Sequence, residues 1–204
     1  MAKKNSEKVS NEEIEKNTKA AMRDIALDYG PFVIVLIFVI VIRLFICSPV
    51  RVDGSSMDTT LSDGQILLLY KLKVHTKGIN RFDIVVINSE SDGEIIKRVI
   101  GLPGEFLKYV IEEKDGITKG VLYVNNKVVE EIGPSDEAKL QTCKFNGDIC
   151  KDGIQLGENE YFVMGDNRPV SKDSRIIGPI NKSRIQGITE IRLFPFSKFG
   201  SIKK

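Results

Sequence analysis

The sequence predicts a mostly β protein preceded by one N-terminal transmembrane helix, and three observations carry that reading. A run of about 20 apolar residues lies near the N-terminus, long enough to cross the roughly 30 Å core of a bilayer. Beyond it come short apolar runs bounded by turn residues, the pattern of strands. After the apolar run no long amphipathic helical pattern follows.

The 204 residues leave room for one membrane segment and one domain of ordinary size. A hydrophobic content of 42% beside 28% charged residues is that of a globular chain. The formal net charge of +2, with lysines spread along the chain and no helical reader motif or RNP-like aromatic box, argues against a nucleic-acid partner.

Residues 1–30 read as a polar cytoplasmic tail: the first nineteen mix both charge signs without an apolar stripe, and Ala20 to Tyr29 begin a helix that Gly30-Pro31 would break locally. Residues 31–50 are the anchor. A cleaved signal peptide does not fit, because the run starts late and no A-x-A site follows it. A buried core helix does not fit either, because a domain this small rarely hides a helix that is apolar on every side. Arg43, near one end, can extend its guanidinium to the interface. Lys16, Lys19 and Arg23 closely precede the run whereas Arg51 stands alone after it, which places the N-terminus in the cytoplasm and the rest outside a plasma membrane crossed once.

Strands are expected at Gln65 to Leu72, Asp83 to Ile87 and Glu94 to Ile100, with turns at Ser62-Asp63-Gly64, Ser91-Asp92-Gly93 and Gly101 to Gly104. Glu105 to Glu112 follow, then Val121 to Val124 and Lys127 to Val129 as a hairpin closed by Asn125-Asn126. Residues 130–158 hold no clear element, and Tyr161 to Met164 and Ile188 to Phe194 close the sheet. Of Cys47, Cys143 and Cys150, the last two are the pair that Asn146-Gly147 would let turn back on each other. Whether they are bridged depends on redox conditions that the sequence does not reveal.

Lys97 is the informative residue. In a strand it shares a face with Ile95 and Val99, while Arg98 shares the other with Ile96 and Ile100. A lysine between two β-branched neighbours is partly desolvated. An ordinary lysine titrates near 10.4, so fewer than about one in a thousand is neutral at pH 7. Making the amine neutral in useful amounts takes about 3 to 4 kcal/mol of differential destabilisation of the ammonium, which burial can supply. Such an amine could take the proton of Ser56, a serine in a Gly54-Ser55-Ser56 turn. The duller readings are a lysine whose head snorkels to water and a serine that caps the turn through Leu61. The single histidine, His75, lies in a lysine-flanked loop and reads as solvated. The cysteines lack metal spacing, so neither a metal nor a cofactor is expected. Asn181-Lys182-Ser183 fits a glycosylation sequon of the kind frequent by chance.

Four segments, in order behind the anchor, resemble the bacterial type I signal peptidase family, the membrane-bound Ser/Lys enzymes that remove signal peptides from exported proteins. Gly54-Ser55-Ser56-Met57-Asp58-Thr59-Thr60-Leu61 resembles the nucleophile box and Arg81-Phe82-Asp83-Ile84-Val85-Val86 the next one. Lys97-Arg98-Val99-Ile100-Gly101-Leu102-Pro103-Gly104-Glu105 resembles the lysine box. Met164-Gly165-Asp166-Asn167-Arg168, followed by Ser171, Asp173, Ser174, Arg175 and Gly178, resembles the last. The resemblance covers residues 31 to 196 and leaves 106–158 poorly matched.

It implies an antiparallel β catalytic core (51–105 and 159–204) with a smaller β insertion (106–158) that would bind an extended segment of substrate by strand addition. It makes Ser56 the nucleophile, with its backbone N–H as an oxyanion donor, and Lys97 the general base. Ser171 would hold the lysine amine, Asp166, Asp173 and Arg175 would support the site, and Met57 and Gly54 would meet substrate. Exposed apolar surface near Met57 and Phe196, with the bilayer as partner, would hold the site where the signal peptide of a preprotein ends.

Three positions depart from the family pattern: Thr59 stands where proline is usual, Gly54 where some members place a hydroxyl oxyanion donor, and Phe82 where glycine is common. Two other readings compete. A self-cleaving Ser/Lys repressor relative is opposed by the anchor and by the absence of a helix-turn-helix pattern. A catalytically inactive, membrane-tethered β adaptor is opposed by the intact Ser56 and Lys97.

Overall fold

The computed structural model describes residues 2–89, 93–114, 116–145 and 147–202, which divide into two units, 1–45 and 46–204. Ser91 and Asp92 of one expected turn, and Asn146 of another, lie outside the described residues.

The first unit is helix α1, Ala2–Val41, extended by a widened π turn at Ile42–Ile46. The expected break at Gly30-Pro31 does not occur, and the helix runs through both residues. Proline's φ suits a helix and its missing N–H removes one bond of the ladder; the remaining apolar backbone still satisfies itself only by staying helical. Met22–Ile46, 25 residues, is long and apolar enough to span a membrane, about 37 Å at helical rise. The apolar pattern predicts an anchor through residue 50, but strand β1 begins at Cys47. Ser48 precedes Pro49, a pairing that disfavours helical backbone and turns the chain extended.

The second unit holds two antiparallel sheets. Its strands in chain order are β1 (Cys47–Arg51), β2 (Ile66–Tyr70), β3 (Ile84–Ser89), β4 (Gly93–Gly101), β5 (Phe106–Lys114), β6 (Ile117–Val124), β7 (Lys127–Val129), β8 (Ile154–Gln155), β9 (Glu160–Met164), β10 (Ile180–Asn181), β11 (Ile185–Phe194) and β12 (Gly200–Ser201). Among the described residues the larger sheet runs β1-β2-β11-β3-β4-β9-β10 with β12 beside β11, and the smaller runs β7-β6-β5-β8. Among the described residues three short helices lie between strands: α2 (Lys73–Thr76), α3 (Asp136–Leu140) and α4 (Ser174–Ile177).

The alternation expected of β4 is visible in the packing. Val99 and Ile95 join one cluster with Val85, Val163 and Ile188, while Ile96 joins another with Met57, Leu61, Leu67 and Val86. A third cluster joins Ile100, Phe162 and Met164 to Leu107, Tyr109 and Leu122 of the smaller sheet. Each such buried side chain contributes roughly 1.5 to 3 kcal/mol relative to exposure, so the third cluster ties the smaller sheet firmly to the larger. The expected Asn-Asn hairpin is present, with φ of 48° at Asn125 and 63° at Asn126, the left-handed pair that a two-residue turn between twisted strands requires.

The stretch 130–158, where no element was expected, contains α3, capped by the Ser135 hydroxyl on the Ala138 N–H, two 3₁₀ turns and β8. Cys143 and Cys150 are joined in a disulfide. Its loop, with a sequence separation of 7, limits the unfolded chain by about 2 kcal/mol in the chain-entropy account. Reduction is therefore expected to lower the unfolding free energy of the full chain by that amount, read from urea unfolding followed by circular dichroism with and without dithiothreitol.

Candidate active site

Ser56 sits in the turn between β1 and β2. The N–H groups of Thr60 and Leu61 both donate to the Met57 carbonyl, at 3.1 and 2.8 Å, winding the backbone into one helical turn. Met57 and Leu61 are the apolar pegs of that turn, 1% and 0% exposed in the core. Met57 thus lies beneath the turn, not on exposed apolar surface, because the turn that presents Ser56 outward sends the next side chain inward. Phe196, by contrast, is 82% exposed.

Lys97, on β4 opposite Val85, is 3% exposed, and its Nζ donates to Ser56 Oγ at 2.7 Å. The structure thereby brings together the two residues singled out from sequence, with the amine in surroundings that disfavour charge. His75 lies exposed on α2, where a loop was expected.

The segment Gly165–Ser171, after β9, packs on the nucleophile turn. Asn167 donates its backbone N–H to the Ser56 carbonyl at 3.1 Å and its Nδ2 to the Ser55 carbonyl at 3.0 Å. Gly165 is glycine for want of space: a Cβ there would stand 2.3 Å from Ser171 Oγ and 2.4 Å from the Ser56 carbonyl oxygen. Ser171 Oγ is buried and has no hydrogen-bond partner among the described residues, so the bond to the lysine amine implied by the resemblance is not formed in this state. Asp173 caps α4, accepts the Gly165 N–H at 3.0 Å and binds Arg175 through both oxygens at 2.8 and 2.7 Å.

Asp166 faces the other way. Its carboxylate accepts Arg98 Nε and Nη2 at 2.8 and 2.7 Å and the Thr60 hydroxyl at 2.5 Å, with both charged side chains shut off from water. A fork-to-fork pair of this kind fixes orientation as well as charge. Asp166→Ala strands a buried guanidinium, and stability should fall by about 3 to 5 kcal/mol, measured as the urea midpoint; a loss below about 1 kcal/mol would contradict the buried pairing.

The three departures acquire physical meaning. Thr59 has φ +89°, a conformation closed to proline, and its hydroxyl holds the Gly133 carbonyl at 3.1 Å. Phe82 has φ +70°, which glycine adopts freely and a bulky residue does not. Gly54, at φ +84° with open space around its Cβ position, donates its N–H to Asp63 Oδ1 at 2.8 Å. That N–H is thus engaged elsewhere, while the Ser56 N–H donates to no described residue.

Arg98, Asn167, Thr60, Glu131, Arg168 and Thr142 were not singled out as functional from sequence. The one signal for Arg98 was a second charge inside an apolar strand, which calls for a buried partner.

The model of the family described as signal peptidase, peptidase S26, matches residues 26–194. A signal peptidase I of Bacillus licheniformis is 38% identical over 171 residues, spanning 81% of this chain and 87% of the relative. One of Streptococcus pneumoniae serotype 4 is 34% identical over 206 residues, spanning 85% and 95%. The crystal structure of a signal peptidase I from Enterococcus faecalis V583 covers 54% of this chain and 95% of its own at 28% identity, with a TM-score of 0.37.

Proposed function

The chain belongs to the signal peptidase family, peptidase S26, and from that premise we propose that it cleaves signal peptides from exported preproteins by acyl transfer through Ser56 and Lys97. The observation that carries this reading is the 2.7 Å contact between Nζ and Oγ with the lysine 3% exposed.

In the reacting state the amine is neutral and accepts the hydroxyl proton as Ser56 Oγ attacks the scissile carbonyl. The C–N bond breaks, the leaving amine takes that proton from Lys97, and an ester joins the signal peptide to Ser56. Water, deprotonated by the same amine, then hydrolyses the ester. The Ser56 N–H points to the oxyanion role. The Ser171 hydroxyl, buried against Gly165 without a partner, is a ready hydrogen-bond donor or acceptor for the amine once it loses its charge. Asp166, Asp173 and Arg175 hold the surrounding loop.

Substrate enters by adding a strand, at the β1 edge of the larger sheet and not on the insertion 106–158 as the resemblance implies. β1 lies at one edge of the larger sheet and runs directly into the Ser56 turn, so an extended peptide on that edge is carried to the hydroxyl. Gly54 leaves room beside it, while Met57, buried beneath the turn, supports the turn and does not meet substrate. The helix Met22–Ile46 anchors the enzyme in the plasma membrane. The excess of Lys16, Lys19 and Arg23 over Arg51 places its N-terminus in the cytoplasm and the core, with its insertion 106–158, outside.

The reading is tested by incubating the detergent-solubilised chain with a precursor bearing an A-x-A signal peptide and sequencing the product's N-terminus. Cleavage after the second small residue is expected; no cleavage by the parent chain would sink the assignment. Only the neutral amine can accept a proton, so kcat/KM should rise with pH through a single protonation and then level. A rate that falls over that range would point to a protonated catalyst instead.

A further inference from the structure

Ser56 is gripped from the Gly165–Ser171 segment, and the residue at the centre of that segment, Arg168, is held almost entirely from outside the larger sheet. Its guanidinium pairs with both oxygens of Glu131, accepts none of its order from solvent at 0% exposure, and donates to Thr142 Oγ1 at 2.6 Å. The Tyr109 ring of β5 lies 5.8 Å from its centre. Burial opposes the Arg168 charge, but Glu131 more than offsets this and holds it above its ordinary titration range. Burial, reinforced by Glu131, likewise raises the Tyr109 phenol and keeps it neutral.

The main chain is caught as well. Arg175 Nη2 donates to the Arg168 carbonyl at 2.8 Å while its Nη1 donates to the Thr142 carbonyl at 3.0 Å. Inward, Arg168 Nε donates to the Gly165 carbonyl at 3.1 Å, and the neighbouring Asn167 N–H reaches the Ser56 carbonyl at 3.1 Å. An unbroken chain of bonds therefore runs from Glu131 and Thr142, through Arg168, to the backbone of the nucleophile.

We propose that Glu131 and Thr142, both in the stretch inserted between β4 and β9, are positioning residues that set the Ser56–Lys97 geometry through Arg168. The inference rests on the Ser56/Lys97 reading above. A buried ion pair adds little net stability over apolar packing of the same volume, so what this one supplies is orientation. Without the Glu131 charge, Arg168 has no anionic partner on that side, and it shifts together with the Asn167–Ser56 contact. A displacement near 1 Å at reacting atoms costs about 100-fold in rate.

The test uses the full chain in detergent with the A-x-A precursor, at a temperature where circular dichroism shows each variant folded. Glu131→Gln keeps the shape and drops the charge. It should lower kcat by about 10- to 100-fold at a KM close to the parent's, and displace the midpoint of the pH–rate profile. Glu131→Asp should recover part of the loss. Thr142→Val should lower kcat in the same direction by a smaller factor. A folded Glu131→Gln with kcat within twofold of the parent, or with only KM changed, overturns the proposal; if Glu131→Gln does not fold, Thr142→Val decides by the same criteria. A parent that cleaves, beside a Ser56→Ala variant that does not, shows that such a failure belongs to this inference and leaves the Ser/Lys reading standing.

Discussion

Lys97→Met lowers kcat for precursor cleavage by about 10²- to 10⁴-fold, the range that general-base catalysis supplies, and leaves the fold intact. The thioether side chain closely matches the length of the lysine stem, so the space on β4 opposite Val85 stays filled. What is lost is the one nitrogen 2.7 Å from Ser56 Oγ. With no acceptor for its proton, the hydroxyl attacks only at the slow rate of an unassisted serine. Because an amine 3% exposed to solvent is costly to keep charged, the methionine variant should be no less stable than the parent. The check is paired: initial rates on the precursor, and a urea midpoint. A Met variant with kcat within tenfold of the parent would remove Lys97 from the mechanism. One that has lost both rate and folding would make it a structural residue.

Much of this site could be seen in the amino-acid order because two rules act locally. Alternation along Glu94 to Ile100 puts Lys97 beside Ile95 and Val99, the face that the fold then buries, leaving Lys97 3% exposed. The apolar length of the anchor is equally local. What stayed hidden depends on partners far apart in sequence. The resemblance gives Asp166 a supporting role, but its partner Arg98, 68 residues away, shows only in the fold. Glu131 and Arg168, 37 apart, look equally solvated in isolation, since charged residues are seldom fully buried unless paired.

Boundaries blurred for a different reason. β1 continues the apolar composition of α1, so only Ser48-Pro49 marks the change from helix to strand, and the run of greasy residues masked it. Helix α3 has five residues, too few to show a period. The Ser171 contact is instructive in another way. The resemblance placed its hydroxyl on the lysine amine, while the structure leaves it buried and unpartnered beside Gly165, an arrangement that costs free energy unless a later state uses it.

The larger effect belongs to Ser56 itself. Ser56→Ala removes one oxygen from a half-buried turn whose backbone is held by Asn167, Met57 and Leu61, so the turn keeps its shape and only the nucleophile goes. Cleavage of the A-x-A precursor, followed over long incubation at high enzyme concentration, is the most direct measurement. The account predicts a fall on the order of 10⁴-fold or more, the scale seen when a nucleophile is deleted. A folded Ser56→Ala protein that still cuts the precursor at the same bond within tenfold of the parent rate would contradict it.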